Sequence, residues 1–401
     1  MKIKKVYSIV EIALFFMLLN VSTIYSYYFK NLSNIFLLVG GFITILGVLL
    51  SKNSTTSRKA IIILFLWSTA VIVCSVFGGF SNSSINYLIK VFIMYFIIDI
   101  ALHKGIEPLA ILYRVCKFMT IWAVVNYILM DILQIRFLPS VSSFSTSWGY
   151  TYNLYLGVFM ENTQKIHFFG NIIKRLHVPF SEPGVAQLFF NYTLFYILFI
   201  KKNIIKKDFY ILFISVLAII MSNSLTGFLI LGSQVLVYCI KHKKVFLITL
   251  LSIIVFIIGF YLIADKLSSD SYLDRSGDYI HMITNAFDNL PFGIGIGNAD
   301  ALEPRINNAT GEYANNSNFC GLISPLLYFG VFSIIYYVIL FYSFRYYSYK
   351  TDIYSKISLA AIVIITLFTE PLSLTSFFAF LELNGLVHRI KYYFKNMKME
   401  I

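Results

Sequence analysis

The sequence predicts an all-α polytopic membrane protein of about twelve transmembrane segments, a single domain over residues 1–401 with two long loops on the outer side. Three observations carry this. Apolar runs of roughly 20 residues, long enough to cross a bilayer as helices, recur from end to end. Hydrophobic residues make up 58% of the chain and charged ones 13%, about half the charged fraction of a soluble domain. Basic residues fall in clusters at alternate boundaries between the runs, as the positive-inside rule requires of cytoplasmic loops.

Of the 32 Lys and Arg, 23 lie in seven clusters. These are Lys2, Lys4 and Lys5; Lys52, Arg58 and Lys59; Lys104, Arg114 and Lys117; Lys201, Lys202, Lys206 and Lys207; Lys241, Lys243 and Lys244; Arg345, Lys350 and Lys356; and Arg389, Lys391, Lys395 and Lys398. The net charge of +13 is therefore a topology signal rather than the footprint of nucleic acid. Both termini fall on the cytoplasmic side.

Alternating the clusters places spans near 6–28, 32–50, 59–78, 84–102, 109–133, 183–200, 209–222, 225–240, 245–263, 321–343, 356–369 and 372–388. The first run lacks a small-residue cleavage site and reads as a retained helix, not a signal peptide. The last two surround Glu370-Pro371. One long helix is the alternative there, but it would put the basic tail outside, so a hairpin over 356–388 is expected. Outer connections are short except for 134–182 and 264–320, which are polar, aromatic and rich in Gly, Asn and Ser. Loops of this length are functional or disordered, and their aromatic content argues against disorder. Aromatic faces suit sugar rings; interfacial belts use the same residues. The cysteines Cys74, Cys116, Cys239 and Cys320 are scattered and read as packing, so no metal, disulfide or cofactor is expected.

Four clusters have the residue types for chemistry. At the end of the first long loop stand Lys174, Arg175, His177, Ser181 and Glu182, followed by Pro183-Gly184. Proline suits the first helical turn, and Glu182 would face the positive end of the helix dipole. The group reads either as a cap with snorkelling cations or as a site. In the second reading, arginine grips a diphosphate and Glu182 accepts a proton from a sugar hydroxyl. In the second loop, Arg275, Asp278 and His281 precede Pro291-Phe292-Gly293-Ile294-Gly295-Ile296-Gly297-Asn298. No βαβ unit surrounds these glycines, so a dinucleotide fold is excluded; a turn whose N–H groups approach phosphate or sugar is the better reading. His281 suits a structural or a catalytic role equally, and Arg305 is a third arginine of this loop. Asn315–Asn318, with Asn316, suits helix capping. Glu370 is a carboxylate at membrane depth that needs a partner or a wet cavity, and it would complete the site from the far end of the chain. Asp99 and Asp131 lie near span ends, where water is expected to reach them, and Lys90 reads as a snorkeller.

In ordered combination, these elements resemble the Wzy-type polysaccharide polymerases of the O-antigen polymerase and ligase superfamily. Arg175…Phe180-Ser181-Glu182-Pro183 is similar to their Arg…Phe-x-Glu-Pro element, and Pro291–Asn298 to their glycine-rich turn. Asn315–Gly330 resembles their lead into a glycine-ended helix, and Thr369-Glu370-Pro371 their late Glu-Pro. Many relatives have a histidine before span ten, where this chain has Asn316 and Asn318. The resemblance implies a metal-independent inverting glycosyltransferase in the bacterial cytoplasmic membrane. It would join undecaprenyl-diphosphate-linked oligosaccharides at the outer leaflet into O-antigen, capsule or exopolysaccharide, with a flippase and a chain-length regulator as companions. Arg175 and Arg275 would stabilise the leaving diphosphate, with Arg305 and Lys174 in support; Glu182 or His281 would be the base. Gly293, Gly295, Gly297, Asn298, Asn316 and Glu370 would contact substrate. A lipid-linked oligosaccharide flippase or transporter is the rival class, disfavoured by the long loops and the absence of related halves. A ligase-like transferase differs only in acceptor.

Overall fold

The structure is a computed structural model that describes residues 2–25, 30–51, 58–135, 140–145, 151–156, 158–168, 171–201, 203–243, 270–298, 305–306, 313–314, 320–350 and 352–397. Among the described residues, five helices precede the first long loop: α1 (Lys2–Ser22), α2 (Lys30–Ser51), α3 (Arg58–Gly78), α4 (Asn82–His103) and α5 (Pro108–Tyr127, continued by a wider turn Ile128–Ile132). After it come α6 (Pro183–Phe195, continued by Tyr196–Ile200), α7 (Lys206–Ser222), α8 (Leu225–Lys241) and α9 (Asp270–Asp288). The chain closes with α10 (Ser324–Phe329), α11 (Ser333–Lys350), α12 (Ile353–Thr369) and α13 (Ser376–Met397).

Among the described residues, six stretches are long and apolar enough to cross a membrane: Leu32–Leu50, Ile61–Gly78, Asn82–His103, Pro108–Ile132, Pro183–Ile200 and Ser324–Phe344. Val6–Asn20, Leu225–Lys241 and Ile353–Thr369 are shorter apolar helices. The chain is on this ground a helical membrane protein. The predicted spans 59–78, 84–102, 109–133, 183–200 and 225–240 coincide with helices to within two residues; the span at 245–263 lies outside the described residues.

The helix ends follow from local chemistry. Pro108 and Pro183 sit at the starts of α5 and α6, where a missing N–H costs nothing. The Asp352 carboxylate accepts from Ser355 N at 2.8 Å and caps α12. Asp208 accepts from Ile205 N at 2.8 Å and caps α7, which ends on Asn223 in the left-handed region. Pro371 biases Glu370 toward extended backbone (φ −136°, ψ 142°), which stops α12 at Thr369. The single long helix over this stretch does not form.

The first long loop departs from the all-α expectation. It builds a three-stranded antiparallel sheet of β1 (Ser140–Ser145), β2 (Thr151–Tyr155) and β3 (Phe159–Met160), and a hairpin of β4 (Lys165–Phe168) and β5 (Asn171–Lys174). Phe144 lies opposite Tyr152, Leu154 opposite Met160, and Lys165 opposite Lys174. In the second loop, β6 (Arg305–Ile306) pairs with β7 (Tyr313–Ala314). The sheet packs through Tyr152, Leu154 and Met160 onto Ile24, Tyr25 and Val178, with Trp122 alongside. Asn126 of α5 acts as a short strand edge: its amide donates to Met160 O at 2.8 Å and accepts from Met160 N at 3.0 Å.

Helix α6 is the axis of the bundle. Every residue from Pro183 to Phe195 is buried, and α5, α7, α8 and α12 pack around it. Its aromatic side knits Phe180, Phe189 and Phe190 to Phe377 of α13. On the other side, Asn191 bonds the Gln187 side chain at 2.9 Å and receives Gln234 Nε2 on its carbonyl at 3.1 Å. Such bonds satisfy polar groups that neither lipid nor an apolar core can.

Candidate functional site

The described parts of the predicted outer connections converge at one end of the bundle. Ile24 N donates to Pro179 O at 3.0 Å, Leu176 N to Met221 O at 3.0 Å, and Gly321 N to Glu370 O at 3.1 Å. Asn298 Nδ2 reaches Gly78 O at 2.8 Å, and the Tyr279 hydroxyl donates to Phe368 O. The basic boundaries gather elsewhere: Lys201 pairs with Asp208 at 2.7 Å and Lys241 with Asp352 at 2.6 Å.

At the converging end the two Glu-Pro elements meet. Glu182 precedes Pro183 in extended backbone (φ −147°, ψ 156°), and its carboxylate makes no capping bond to the helix it precedes. Gly184, two residues on, lies against the Glu370 carboxylate so closely that a Cβ there would overlap it. Glu370 is 5% exposed. Its neighbour Thr369 receives the Thr226 hydroxyl at 3.0 Å, which joins α12 to the start of α8. Arg175 reaches the turn that leads into α8: its Nε donates to Ser222 O at 3.1 Å and an Nη to Asn223 O at 3.0 Å. These two bonds fix the plane of a guanidinium that has five N–H donors in all. Arg175, Thr226, Thr369, Glu370, Gly184 and Glu182 thus form one continuous chain of contacts and neighbours from three distant parts of the sequence.

The segment bearing Arg175 and Glu182 is held from beneath. Asn162 Oδ1 accepts both His177 N (2.8 Å) and Val178 N (2.9 Å), and its own backbone N–H faces the Asp131 carboxylate at 3.3 Å. His177 is fully buried, with Nδ1 on Phe180 O at 3.1 Å and its ring edge against Tyr152. Burial pushes its imidazole down to about 4, the Phe180 carbonyl working against this and the Arg175 charge with it. The ring is therefore neutral at pH 7.

Lys174 does not present a cation for a substrate. Its ammonium lies between Asp131 Oδ1 at 2.9 Å and Glu161 Oε2 at 3.2 Å. Burial pulls its pKa down, and the bonds and charges of Asp131 and Glu161 more than offset this, so the charge is retained and internally compensated. Asp131, expected to be wet, has a side chain only 3% exposed; Asp99 is buried as well. For Asp131, Lys174 and Asn162 of the first long loop replace the water that a position near a helix end implied.

The glycine-rich turn has a packing role. Gly293 N, Ile294 N and Gly295 N donate to Asn289 O (2.8 Å), Leu327 O (3.0 Å) and Tyr328 O (3.2 Å). The N–H groups expected to approach phosphate are thus bonded to backbone carbonyls. Gly293, Gly295 and Gly297 all have positive φ near +75°, which glycine adopts without steric cost. A Cβ at Gly295 would meet Gly79 O at 2.5 Å, and one at Gly293 Leu327 O at 2.6 Å. The turn locks the end of α3 to α10, with Ser81 Oγ on Ile296 O.

Of the remaining predicted residues, His281 is half-buried on α9. Arg275 lies on α9 and Arg305 on β6, and neither side chain is described; Asn316 falls outside the described residues. Glu382 was missed. It is buried in α13 and hydrogen-bonded to Tyr336. Its signal was a lone carboxylate in the apolar run 376–388, which membrane energetics alone marks as notable. Among the described residues no group of three or more metal-ligating side chains occurs. No family model, curated protein or solved structure matches the chain.

Proposed function

We propose that this chain is a polysaccharide polymerase of the bacterial cytoplasmic membrane, a metal-independent inverting glycosyltransferase acting on undecaprenyl-diphosphate-linked oligosaccharides. The observation that carries the reading is the meeting of Glu182-Pro183-Gly184 with Glu370-Pro371 beside Arg175, at the end of the bundle where the long loops gather. Two carboxylates and an oriented guanidinium at a membrane surface suit a reaction with a hydroxyl nucleophile and a diphosphate leaving group.

In this reading, an acceptor hydroxyl of the incoming repeat unit attacks the anomeric carbon of the growing chain. The new C–O bond forms with inversion as the anomeric C–O bond to the diphosphate breaks. The hydroxyl proton passes to Glu182, and undecaprenyl diphosphate leaves with the bonding pair. Arg175, with Arg275 of α9, stabilises the charge that develops on the diphosphate, the kind of effect that dominates catalysis. Glu370 orients the acceptor from its seat on Gly184. Lys174 belongs to the support of this segment rather than to the substrate.

The test is deletion of the gene in its host, with surface polysaccharide resolved on a gel and undecaprenyl-linked intermediates extracted in parallel. Loss of long polymer with single repeat units displayed outside is expected. Arg175→Ala and Glu182→Gln should each reproduce it at normal protein level. Units trapped on the inner leaflet would identify a flippase, and wild-type-length polymer in both variants would end the residue assignment.

A further inference from the structure

The polymerase reading leaves unexplained the outward face of α9. This helix joins two separated points of the same rim. Tyr279 stacks on Phe368 at the end of α12, 5.4 Å between ring centres, and Phe292 just beyond the helix stacks on Phe77 at the end of α3, 4.4 Å apart. Both anchors lie where the outer connections gather, roughly 15 Å of helix apart. The axis of α9 therefore runs across the end of the bundle, not along it.

At ~100° per residue its described part divides into three sectors. Met282 (2% exposed), Asn285 and Ala286 (0%) face the protein. Ile280 (70%), Ile283 and Phe287 (60%) form one adjoining sector, and they are exposed. Thr284 and Asp288 form the third, also exposed and polar. A helix in water has no reason to split its open side into an apolar and a polar half; a helix at a bilayer surface has that division imposed on it.

We propose that α9 is an interfacial helix that seats Ile280, Ile283 and Phe287 in the lipid leaflet bordering this end of the bundle. Continuity argues for lipid as the occupant. Phe292 bridges Phe77 and Phe332, and around these rings Val76, Phe80, Val331 and Ile334 are exposed at the ends of α3 and α11. Those residues face acyl chains in any protein whose α3 and α11 cross a membrane. Leu290 carries the same surface onto α9. The inference requires only that the chain spans a bilayer, so it stands or falls separately from the polymerase reading.

The four native cysteines are all buried, which leaves a low labelling background. Single variants Ile280→Cys, Phe287→Cys and Asp288→Cys of the full chain, each checked for a monodisperse size-exclusion profile, would be labelled with nitrobenzoxadiazole and reconstituted into phosphatidylethanolamine–phosphatidylglycerol vesicles. Nitroxide lipids labelled high on the acyl chain serve as quenchers. The expected result is blue-shifted emission at positions 280 and 287 and about threefold stronger quenching there than at 288, as interfacial seating requires. Equal quenching at all three positions overturns the proposal. Blue-shifted emission without nitroxide quenching overturns it in favour of a protein cover. Thr284→Cys, beside Asp288 in the polar sector, is the substitute control and is expected to match position 288.

Discussion

Replacing Gly184 by alanine tests the meeting of the two Glu-Pro elements without removing a charge. In an open helix this change is stabilising by up to about 1 kcal/mol. Here the new methyl would overlap the Glu370 carboxylate. Glu370 is nearly buried, its carbonyl is held by Gly321 N at 3.1 Å and its N–H bonds Thr366 O at 2.8 Å, so what gives way is the end of its side chain, which must swing aside within a packed site. Overpacking costs about 1–3 kcal/mol, and because a side-chain end yields here the cost falls at the low end, still enough to outweigh the small propensity gain at a first-turn position. On the proposed mechanism, a displacement of about 1 Å in the carboxylate that orients the acceptor lowers rate by about 100-fold. The assay is a double-mutant cycle on thermal unfolding in detergent, with polymer length read in vivo. Gly184→Ala should lower the unfolding temperature, and Glu370→Ala added to it should recover more than 1 kcal/mol, the coupling expected of residues in direct contact. If Gly184→Ala is as stable as wild type and the two changes are additive, the carboxylate does not lie on Gly184 and the site as described is wrong.

Three further outcomes follow from the same geometry. His177 has its pKa depressed to about 4 from 6.5, so the unfolded chain takes up the proton first. Stability should be fully present above pH 6.5 and fall by about 1.4 kcal/mol per pH unit toward pH 4; denaturant midpoints of His177→Gln should lose that slope. Lys174→Met should destabilise by about 3 kcal/mol because it leaves Asp131 buried without its cation, and Lys174→Met with Asp131→Asn should recover part of the loss. In the wild type the Lys174 contribution, from a raised pKa, should persist below pH 10.5 and disappear above it. Gly330→Ala places a Cβ on Pro291 O from a φ of +52°, whereas Gly105, at φ +70°, has nothing within 4 Å. Gly105→Ala should cost about 1–2 kcal/mol from backbone conformation alone, and Gly330→Ala clearly more, measured as folded yield in detergent.

The apolar helices were legible because their determinants are local; α9, inside the stretch 264–320 read as a loop, was not. The length of an apolar run, Pro108 and Pro183 at first turns, and the break at Pro371 each act within a few residues. The sheet of the first long loop was not legible. Strand Ser140–Ser145 is mostly serine, and what holds β3 in place is the Asn126 side chain of α5, which contributes no strand signal of its own. Arg175, Glu182 and Glu370 could be singled out as residue types suited to a diphosphate and a hydroxyl. That Lys174 is spent on Asp131 and Glu161 could not, since the charges that neutralise it come from a helix end and a separate loop segment.

The sequence by itself determined which segments are apolar enough for a bilayer, since a run of about 20 apolar residues is a local property of the chain. It also marked the glycines of 293–297, a residue type that takes positive φ without steric cost. Only the tertiary structure decided what those glycines do: Gly293 N and Gly295 N close onto Asn289 O and Tyr328 O, and Ile294 N between them onto Leu327 O, because the turn is pressed between the end of α3 and α10 too closely for a side chain. It likewise placed Glu370 on Gly184. Gly184 and the Glu370 carboxylate, almost 190 positions apart in sequence, become neighbours only when α6 is enclosed by α8 and α12, and that enclosure is a property of packing, which no local run of residues encodes.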